Sequence, residues 1–116
     1  MINFAICLAT FNGEKFIREQ LESIIGQIDE NDLVLVSDDG SSDGTLEILR
    51  SFGSKIKIVN SKRLGGVVKN FEHILLYAYN TGARNIVLVD QDDKWLPERM
   101  SYIRDLLENN EVLMMN

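Results

Sequence analysis

The sequence predicts an α/β fold with a mostly parallel sheet, and two patterns indicate it. Short, continuous apolar runs are typical of strands that are buried on both faces, and the chain has several. Between them, apolar residues recur at the spacing of one helix face. Strands that alternate with amphipathic helices are joined by right-handed crossovers and therefore run parallel. The 116 residues show no internal repeat and no domain boundary, so we expect one core.

Five strands are predicted, and their residue patterns set their expected positions in the sheet. Residues 4–9, 33–36 and 86–89 are continuous apolar runs, which favour buried strands. Residues 55–59 alternate between lysine and apolar side chains, as an edge strand with one wet face does. Residues 112–115 are again apolar and predict the fifth strand.

The first and third of four predicted helices show apolar residues at i, i+4, i+7, i+8 and i+11. One such series starts at Ile17 and ends at Ile28. The other runs from Val67 to Ala78, and Gly82 is expected to mark the end of that helix.

The second and fourth helices are predicted from their end signals. The second covers residues 45–52, with Ser42 or Asp43 as its N-cap and Gly53 as its stop. Pro97 is expected at the first position of the fourth helix. The inner face of that helix carries Met100, Ile103 and Leu107.

Charge and cysteine content exclude several functional classes. Lys and Arg number 12 against 18 Asp and Glu, which gives a net charge of −6. Such an acidic chain is a poor general binder of nucleic acid or of an anionic membrane, so we expect no nucleic-acid partner. The single cysteine, Cys7, excludes an intramolecular disulfide and fits a reducing compartment. The longest apolar run is too short for a membrane span.

Polar and acidic residues directly follow three of the predicted strands. They are residues 10–13 after the first strand, 38–44 after the second and 90–93 after the fourth. Open α/β sheets bind ligands outside the carboxyl ends of their strands. We therefore expect the functional site where these three segments meet.

Asp90, Asp92 and Asp93 place three carboxylates within four residues. Carboxylates this close repel one another unless a cation lies among them or they splay into water. Their hard oxygens suit Mg²⁺ or Mn²⁺. The alternative is a solvated acidic loop ahead of a helix N-terminus, where negative charge is mildly stabilising.

Two further segments admit both a functional and a structural interpretation. Asp38 and Asp39 can accept hydrogen bonds from the imide N–H of uracil or thymine, or from ribose hydroxyls, but Asp, Gly and Ser are also ordinary turn residues. Arg63 and Lys69 flank two glycines at the start of the third helix, which is typical of an anion site. Neither the GxxxxGK[ST] nor the GxGxxG motif is present there.

Four blocks together resemble family 2 glycosyltransferases of the GT-A fold: residues 9–14, residues 36–45, Gly65 with Asn70-Phe71, and residues 90–97. The resemblance implies a Rossmann-like three-layer sandwich that is incomplete at its C-terminus. Residues 1–116 would then be the N-terminal nucleotide-sugar-binding part of a glycosyltransferase domain, ending after its D-x-D motif. The Asp-Gln-Asp-Asp-x-Trp form resembles bacterial rhamnosyltransferases of polysaccharide biosynthesis.

The resemblance also implies residue roles. The metal ligands would be Asp92 and Asp90, with Asp90 near the ribose or the metal, and Asp93 would contact the donor sugar or the residues that hold the metal. Phe11 stands where the family usually has tyrosine, and Lys69 stands where many relatives carry arginine. The nucleotide-binding residues that the resemblance implies are Thr10, Phe11, Asn12, Asp38, Asp39, Lys69, Asp90 and Gln91.

The function implied by the resemblance is transfer of a sugar from a UDP- or dTDP-sugar to a saccharide or lipid-linked acceptor, assisted by Mg²⁺ or Mn²⁺ and with inversion. The family's catalytic base lies further along the domain, so we expect no catalytic residue within this chain and no activity of the chain alone. We expect a cytoplasmic location. For a longer protein that contains this chain, we expect a place at the inner face of the membrane, held there by parts that this chain does not include. An uncovered sheet edge would favour association into a dimer.

Three other functional classes compete with this interpretation. A phospho-receiver domain would need an Asp after a middle strand, where Val59 is followed by Asn60-Ser61. A nucleotidyltransferase of related fold would need a glycine-rich loop after the first strand, and residues 10–13 lack one. A non-catalytic nucleotide-binding module remains open.

Overall fold

The computed structural model describes residues 1–91 and 94–106, together with the backbone of residues 112–115. Five parallel strands form one sheet. In chain order they are β1 (Phe4–Thr10), β2 (Asp32–Asp38), β3 (Lys57–Asn60), β4 (Asn85–Asp90) and β5 (Val112–Met115). Their order across the sheet is β3-β2-β1-β4-β5, so β1 lies at the centre, between β2 and β4. The predicted parallel sheet is confirmed.

Four helices cover the sheet. They are α1 (Ile17–Ile25), α2 (Thr45–Ser51), α3 (Val67–Asn80) and α4 (Arg99–Leu106), with one 3-10 turn at Gly53–Lys55. Buried side chains of α1, α2 and α4 pack with one face of the sheet, and those of α3 pack with the other. The result is a three-layer sandwich. Of the helices in the described part of the chain, none has the length and apolar character needed to cross a bilayer.

The strand β1 is buried along its whole length, because both of its faces are covered by helices. Phe4, Ile6 and Leu8 point to the side of α1, while Ala5 and Cys7 point to the side of α3. Burial raises the pKa of the Cys7 thiol to about 12. The thiol therefore stays protonated near neutral pH and packs as a small apolar side chain.

The connection from β4 to β5 differs from the expectation of right-handed crossovers throughout. The sheet order places β5 on the side of β4 away from β1, yet α4 packs on the same face as α1. This connection therefore has the opposite hand to the other three. Hydrogen bonds to α1 and to the segment just after it hold the connection there: Trp95 N donates to Ser23 Oγ at 3.0 Å, and Met100 N donates to Gln27 Oε1 at 3.0 Å.

Several predicted boundaries shift by a few residues. The helix α1 ends at Ile25, and Ile28 packs on the core from the segment that follows. Gly44, not Ser42 or Asp43, is the N-cap of α2. Residues 55 and 56 precede β3, because residues 53–55 form the 3-10 turn.

The first turn of α3 and the start of α4 also differ from the prediction. Val67 is 70% exposed and does not belong to the core face of α3. The helix α4 begins at Arg99, not at Pro97, and Met100 and Ile103 are buried as predicted. Leu107 lies outside the described residues.

Arg104 anchors α4 to the start of β2. Its guanidinium pairs with the carboxylate of Asp32, whose side chain is fully buried, and lies 3.4 Å from Oδ2 of Asp29. It also lies 5.0 Å from the ring centroid of Phe4. The Asp32 carboxylate has little access to water and accepts one further hydrogen bond, from Asp29 N at 3.0 Å. Arg104 therefore supplies the positive charge that offsets its negative charge.

We predict that Arg104→Ala lowers the free energy of unfolding by about 3 kcal/mol, since it leaves a buried carboxylate unpaired. Lys94→Ala is the matched control, because Lys94 and Glu19 form an exposed pair with 59% and 68% of their side chains accessible. That loss should cost less than about 0.5 kcal/mol. Urea denaturation of both variants makes the comparison, and equal losses would contradict the role given to Arg104.

Candidate functional site

A cavity of about 400 Å³ opens at the carboxyl end of the sheet, where β1 and β4 diverge. From β1 the chain continues to β2, and from β4 it continues to β5, in the opposite direction across the sheet. Open α/β sheets bind ligands at such a switch of direction, outside the carboxyl ends of the strands. The volume of the cavity lies within the range of small-molecule binding sites. The cavity is lined by Ala9, Thr10, Phe11, Asp39, Arg63, Gly66, Val67, Asn70, Phe71, Asp90 and Gln91.

Asp38 is turned into the protein and does not line this cavity. It is fully buried, and its Oδ1 accepts hydrogen bonds from the hydroxyls of Thr10 at 2.6 Å and Ser41 at 2.7 Å. Its Oδ2 accepts one from Ser41 N at 2.9 Å. These bonds join the end of β1 to the turn after β2, so Asp38 holds the two segments together.

Asp39, by contrast, lines the cavity and binds the loop that leads into α3. Oδ1 accepts hydrogen bonds from the backbone amides of Leu64 and, at 3.0 Å, Gly65. Oδ2 accepts one from the amide of Gly66 at 2.9 Å. Three consecutive amides thus surround one carboxylate that is only 3% exposed.

These amides lower the pKa of Asp39. The hydrogen bond from Leu64 is the largest cause, burial opposes it, and the bonds from Gly65 and Gly66 and the charge of Arg63 lower the pKa further. The net result lies below the usual pKa of an aspartate. Asp39 is therefore ionised at neutral pH, as a carboxylate that accepts several N–H groups should be.

Gly40 allows the segment around Arg63 to approach β2 closely. Its φ is +69°, and a β-carbon there would lie 2.9 Å from the backbone nitrogen of Arg63. Any other residue would face both the strained backbone and this clash. Asn60 supports the same approach, since its Nδ2 donates to the carbonyls of Asp38 at 3.0 Å and Lys62 at 2.7 Å.

The segment after β1 is tied to the turn before α2 by side chains from both. Asn12, with φ +50°, accepts a hydrogen bond from Ser42 N at 2.9 Å, and Asn12 N donates to Ser41 Oγ at 2.8 Å. Gly13 N donates to Thr45 Oγ1 at 2.8 Å. Asn12 is exposed but does not line the cavity, so its contacts hold the loop.

Asp43 and Glu14 complete this junction. Asp43 accepts hydrogen bonds from the hydroxyl and amide of Thr45 and from the amide of Glu14, while Glu14 accepts one from Gly44 N at 2.8 Å. Burial tends to raise the pKa of Asp43, but these hydrogen bonds outweigh it and lower the pKa below its usual value. Asp43 thus stabilises the start of α2 from one residue before the N-cap.

Phe11 and Arg63 form one wall of the cavity. The guanidinium carbon of Arg63 lies 4.9 Å from the centroid of the Phe11 ring, within the range of a cation–π contact. Arg63 also faces the negative charge of Asp39. The sequence marks Arg63 only as a cation near a helix start, because its place beside Phe11 depends on contacts between distant segments.

Gln91 and Asp90 line the cavity at the end of β4. The side-chain amide of Gln91 bonds the backbone of Phe11 at both ends, and Gln20 Nε2 donates to the carbonyl of Asp90 at 2.6 Å. Asp90 is half-buried at the end of β4. Its carboxylate is the predicted metal ligand that the structure places at the cavity.

Asn70 is a cavity residue that sequence reasoning left without a role. It is 2% exposed, and its Nδ2 donates to the carbonyl of Thr10 at 3.2 Å, which joins α3 to the end of β1. A polar residue on the otherwise apolar side of α3 is the signal that could have found it. Lys69, the predicted nucleotide contact beside it, is exposed and lies outside the cavity lining.

Of the predicted site residues, Thr10, Phe11, Asp39, Asp90 and Gln91 come together at the cavity. Asp92 and Asp93 lie outside the described residues. Within residues 1–91 and 94–106, no three His, Cys, Asp or Glu side chains are arranged to hold a metal ion. The metal pair of Asp90 and Asp92 stays a prediction.

Comparison with known proteins gives consistent matches. The chain matches the model of glycosyl transferase family 2 over residues 5–115. The dTDP-rhamnosyl transferase RfbG of Shigella flexneri is 38% identical over 108 residues, which cover 89% of this chain and 37% of that relative. The UDP-Glc:alpha-D-GlcNAc-diphosphoundecaprenol beta-1,3-glucosyltransferase WfgD of Escherichia coli is 31% identical, over 91% of this chain and 42% of that relative.

A solved structure shares the fold. The crystal structure of S. aureus TarS 1-349 in complex with UDP matches with a TM-score of 0.73 and 25% sequence identity, over 90% of this chain and 31% of that one. The chain thus spans between about a third and two fifths of the length of these three proteins.

We predict that Gly40→Ala destabilises the protein by about 2 kcal/mol more than Gly82→Ala, because only the former adds a steric clash to the backbone strain. Gly82 has a similar φ, +77°, but a β-carbon there meets nothing within 4 Å. Its substitution should cost about 1 kcal/mol. Chemical denaturation measures both, and equal effects would contradict the close approach at Arg63.

The lowered pKa of Asp39 predicts a pH-dependent contribution to stability. A depressed folded-state pKa stabilises the protein above the unfolded pKa of about 3.9, and this contribution is lost as the pH falls through the folded pKa. The stability difference between wild type and Asp39→Asn should therefore be constant above about pH 5 and shrink below about pH 4. Urea denaturation across this pH range tests it, and a difference that grows on acidification would contradict it.

Proposed function

Because the chain belongs to glycosyl transferase family 2 and has the GT-A fold, we propose that it binds the donor for a glycosyltransferase. The donor would be a sugar nucleotide with a pyrimidine base, UDP or dTDP, and the acceptor a saccharide or a lipid-linked saccharide. The observation that carries this proposal is the cavity between β1 and β4, which brings the predicted donor residues Thr10, Phe11, Asp39 and Asp90 together. The UDP bound to S. aureus TarS and the dTDP-dependent relative support a pyrimidine nucleotide.

The base would lie against Phe11 and near Asp39. The Phe11 ring offers a flat apolar surface, and Arg63 already packs against it. A carboxylate has about four acceptor positions, and three backbone amides fill three of those of Asp39. The remaining capacity suits an imide N–H of uracil or thymine, or a ribose hydroxyl, at a site whose own geometry is already fixed.

The diphosphate would lie toward Asp90, where a divalent cation is needed to offset the negative charges. Asp90 fits such a cation, since it places at the cavity edge a hard carboxylate oxygen, the kind of ligand that Mg²⁺ and Mn²⁺ prefer. Asp92 is its proposed partner ligand, and Asp93 is proposed to contact the donor sugar or the metal ligands. When bound, the cation neutralises the diphosphate and improves it as a leaving group. Arg63 supplies a second positive charge in the cavity lining.

The remaining features of the proposed reaction rest on the family. Inversion at the anomeric carbon would use a carboxylate base from the rest of the domain, which also would supply the acceptor site. We propose that such an enzyme works on the cytoplasmic side, at the inner face of the membrane. The residues in this chain then have one task, which is to hold the donor with its anomeric carbon open to the acceptor.

We predict that the chain binds UDP in isothermal titration calorimetry and that Mn²⁺ strengthens this binding compared with EDTA. Asp90→Asn should remove most of the strengthening by Mn²⁺, about tenfold or more, because it weakens a charged metal ligand. Glu30→Gln removes an equal charge from an exposed turn at the other end of the sheet and should bind as wild type does. ADP serves as the purine control and should bind more weakly. No heat of binding to a protein that circular dichroism shows to be folded would contradict the proposal.

A further inference from the structure

The side-chain amide of Gln91 extends the pairing of β1 with β4 by one step. The last backbone pair of that ladder is Ala9 with Asp90. Beyond it, Gln91 Oε1 accepts a hydrogen bond from Phe11 N, and Gln91 Nε2 donates one to Phe11 O, both at 2.9 Å. The amide thus binds the Phe11 backbone as a neighbouring strand residue would, at the point where the two strands separate to form the cavity.

Gly13 provides the space for this amide. A β-carbon at Gly13 would lie 2.8 Å from Gln91 Oε1, and the next two nearest atoms also belong to the Gln91 side chain. The backbone of Gly13 is not in the left-handed region. A larger residue at this position would therefore need the Gln91 amide to move, although the backbone conformation would tolerate it.

The two hydrogen bonds fix the residue whose ring forms the cavity wall. Phe11 lies just after the end of β1, where the regular backbone pairing has stopped, and the residue is 37% exposed. With both its N–H and its C=O held by Gln91, its Cα–Cβ bond keeps one direction, and Arg63 packs on the ring. A fixed wall avoids the ordering cost that a ligand would otherwise meet on binding.

We propose that Gln91 is a positioning residue of the donor site: it acts through Phe11, by fixing the direction of the aromatic wall, and not through contact with the nucleotide. This inference rests on the proposed function, because it assigns a role within the donor cavity. It changes the expectation from the family resemblance, in which Gln91 is itself a nucleotide-binding residue.

The chain offers a control in Gln27, whose side-chain amide also donates to and accepts from backbone groups, away from the cavity. Its Nε2 donates to Leu96 O at 2.8 Å and to Ser23 O at 3.2 Å, and its Oε1 accepts from Met100 N at 3.0 Å. These bonds join the segment after α1 to Leu96 and to the start of α4, and none of these residues lines the cavity. Gln27→Ala thus removes a comparable side-chain amide contact without changing the wall.

The test is a double-mutant cycle of Gln91→Ala and Phe11→Ala, measured as the Kd for UDP by titration calorimetry. We expect Gln91→Ala to weaken binding about tenfold in the wild-type background, through lost preorganisation. In the Phe11→Ala background it should change the Kd less than about twofold, because the wall it positions is gone. Gln27→Ala should leave the Kd within about twofold of wild type.

Two further measurements probe the contact directly. Exchange of the Phe11 amide hydrogen, followed by NMR, should become about tenfold faster in Gln91→Ala and stay unchanged in Gln27→Ala. Gly13→Ala should reproduce the weaker UDP binding, since its methyl group displaces the Gln91 amide, and should add little in the Gln91→Ala background.

Each outcome decides between the hypotheses. An equal loss of affinity from Gln91→Ala in both backgrounds would show direct contact with UDP and overturn the positioning role. An unchanged Kd, or unchanged exchange at Phe11, would overturn it as well. If the folded wild-type chain binds neither UDP nor dTDP, the proposed function itself fails and the inference fails with it. If the wild type binds UDP but the double-mutant cycle does not show the expected coupling, the proposed function stands and only the role given to Gln91 is wrong.

Discussion

The site depends on one buried carboxylate, that of Asp39, and on the three backbone amides that surround it. Removing a charge from water is costly unless hydrogen bonds replace its hydration. Here the consecutive amides of Leu64, Gly65 and Gly66 provide that replacement, with Arg63 adding its charge. Because the amides belong to the loop before α3, ionised Asp39 also fixes where that loop and the first turn of α3 lie. The placement of this loop and of α3 therefore determines where one wall of the cavity lies.

The two neighbouring carboxylates at the end of β2 have different roles, because successive residues of a strand point in opposite directions. Asp38 is turned inward and is saturated by Thr10 and Ser41, so it joins two loops. Asp39 is turned to the cavity and keeps acceptor capacity for a ligand. The same dipeptide thus supplies both the support of the site and one of its binding groups.

The walls of the cavity are built by segments outside the regular strands, and side chains replace the missing backbone pairing. Gln91 holds Phe11, Asn12 holds the turn at Ser41 and Ser42, and Asn70 holds the end of β1. A side-chain amide both donates and accepts, so it can bind a peptide group at two points. These contacts hold the cavity walls together without a ligand, and a preformed site lowers the entropy cost of binding.

The sequence alone determined the elements and the end of the sheet that carries the site, since apolar periodicity and turn chemistry act between residues close in the chain. It indicated the family through residues 9–14, 36–45 and 90–97, and it placed Phe11, Asp39 and Asp90 at strand ends. It left the roles of Asp38 and Asp39 undivided and gave none to Asn70.

Only the tertiary structure decided which polar groups meet. The amides that bind Asp39 lie 25 to 27 residues further along the chain, and the backbone that binds Gln91 lies 80 residues before it. The same holds for the hand of the last connection, which depends on contacts of Trp95 with α1 and of Met100 with the segment just after α1. Such hydrogen bonds form only after the sheet has brought distant segments together, and therefore no local pattern in the sequence records them.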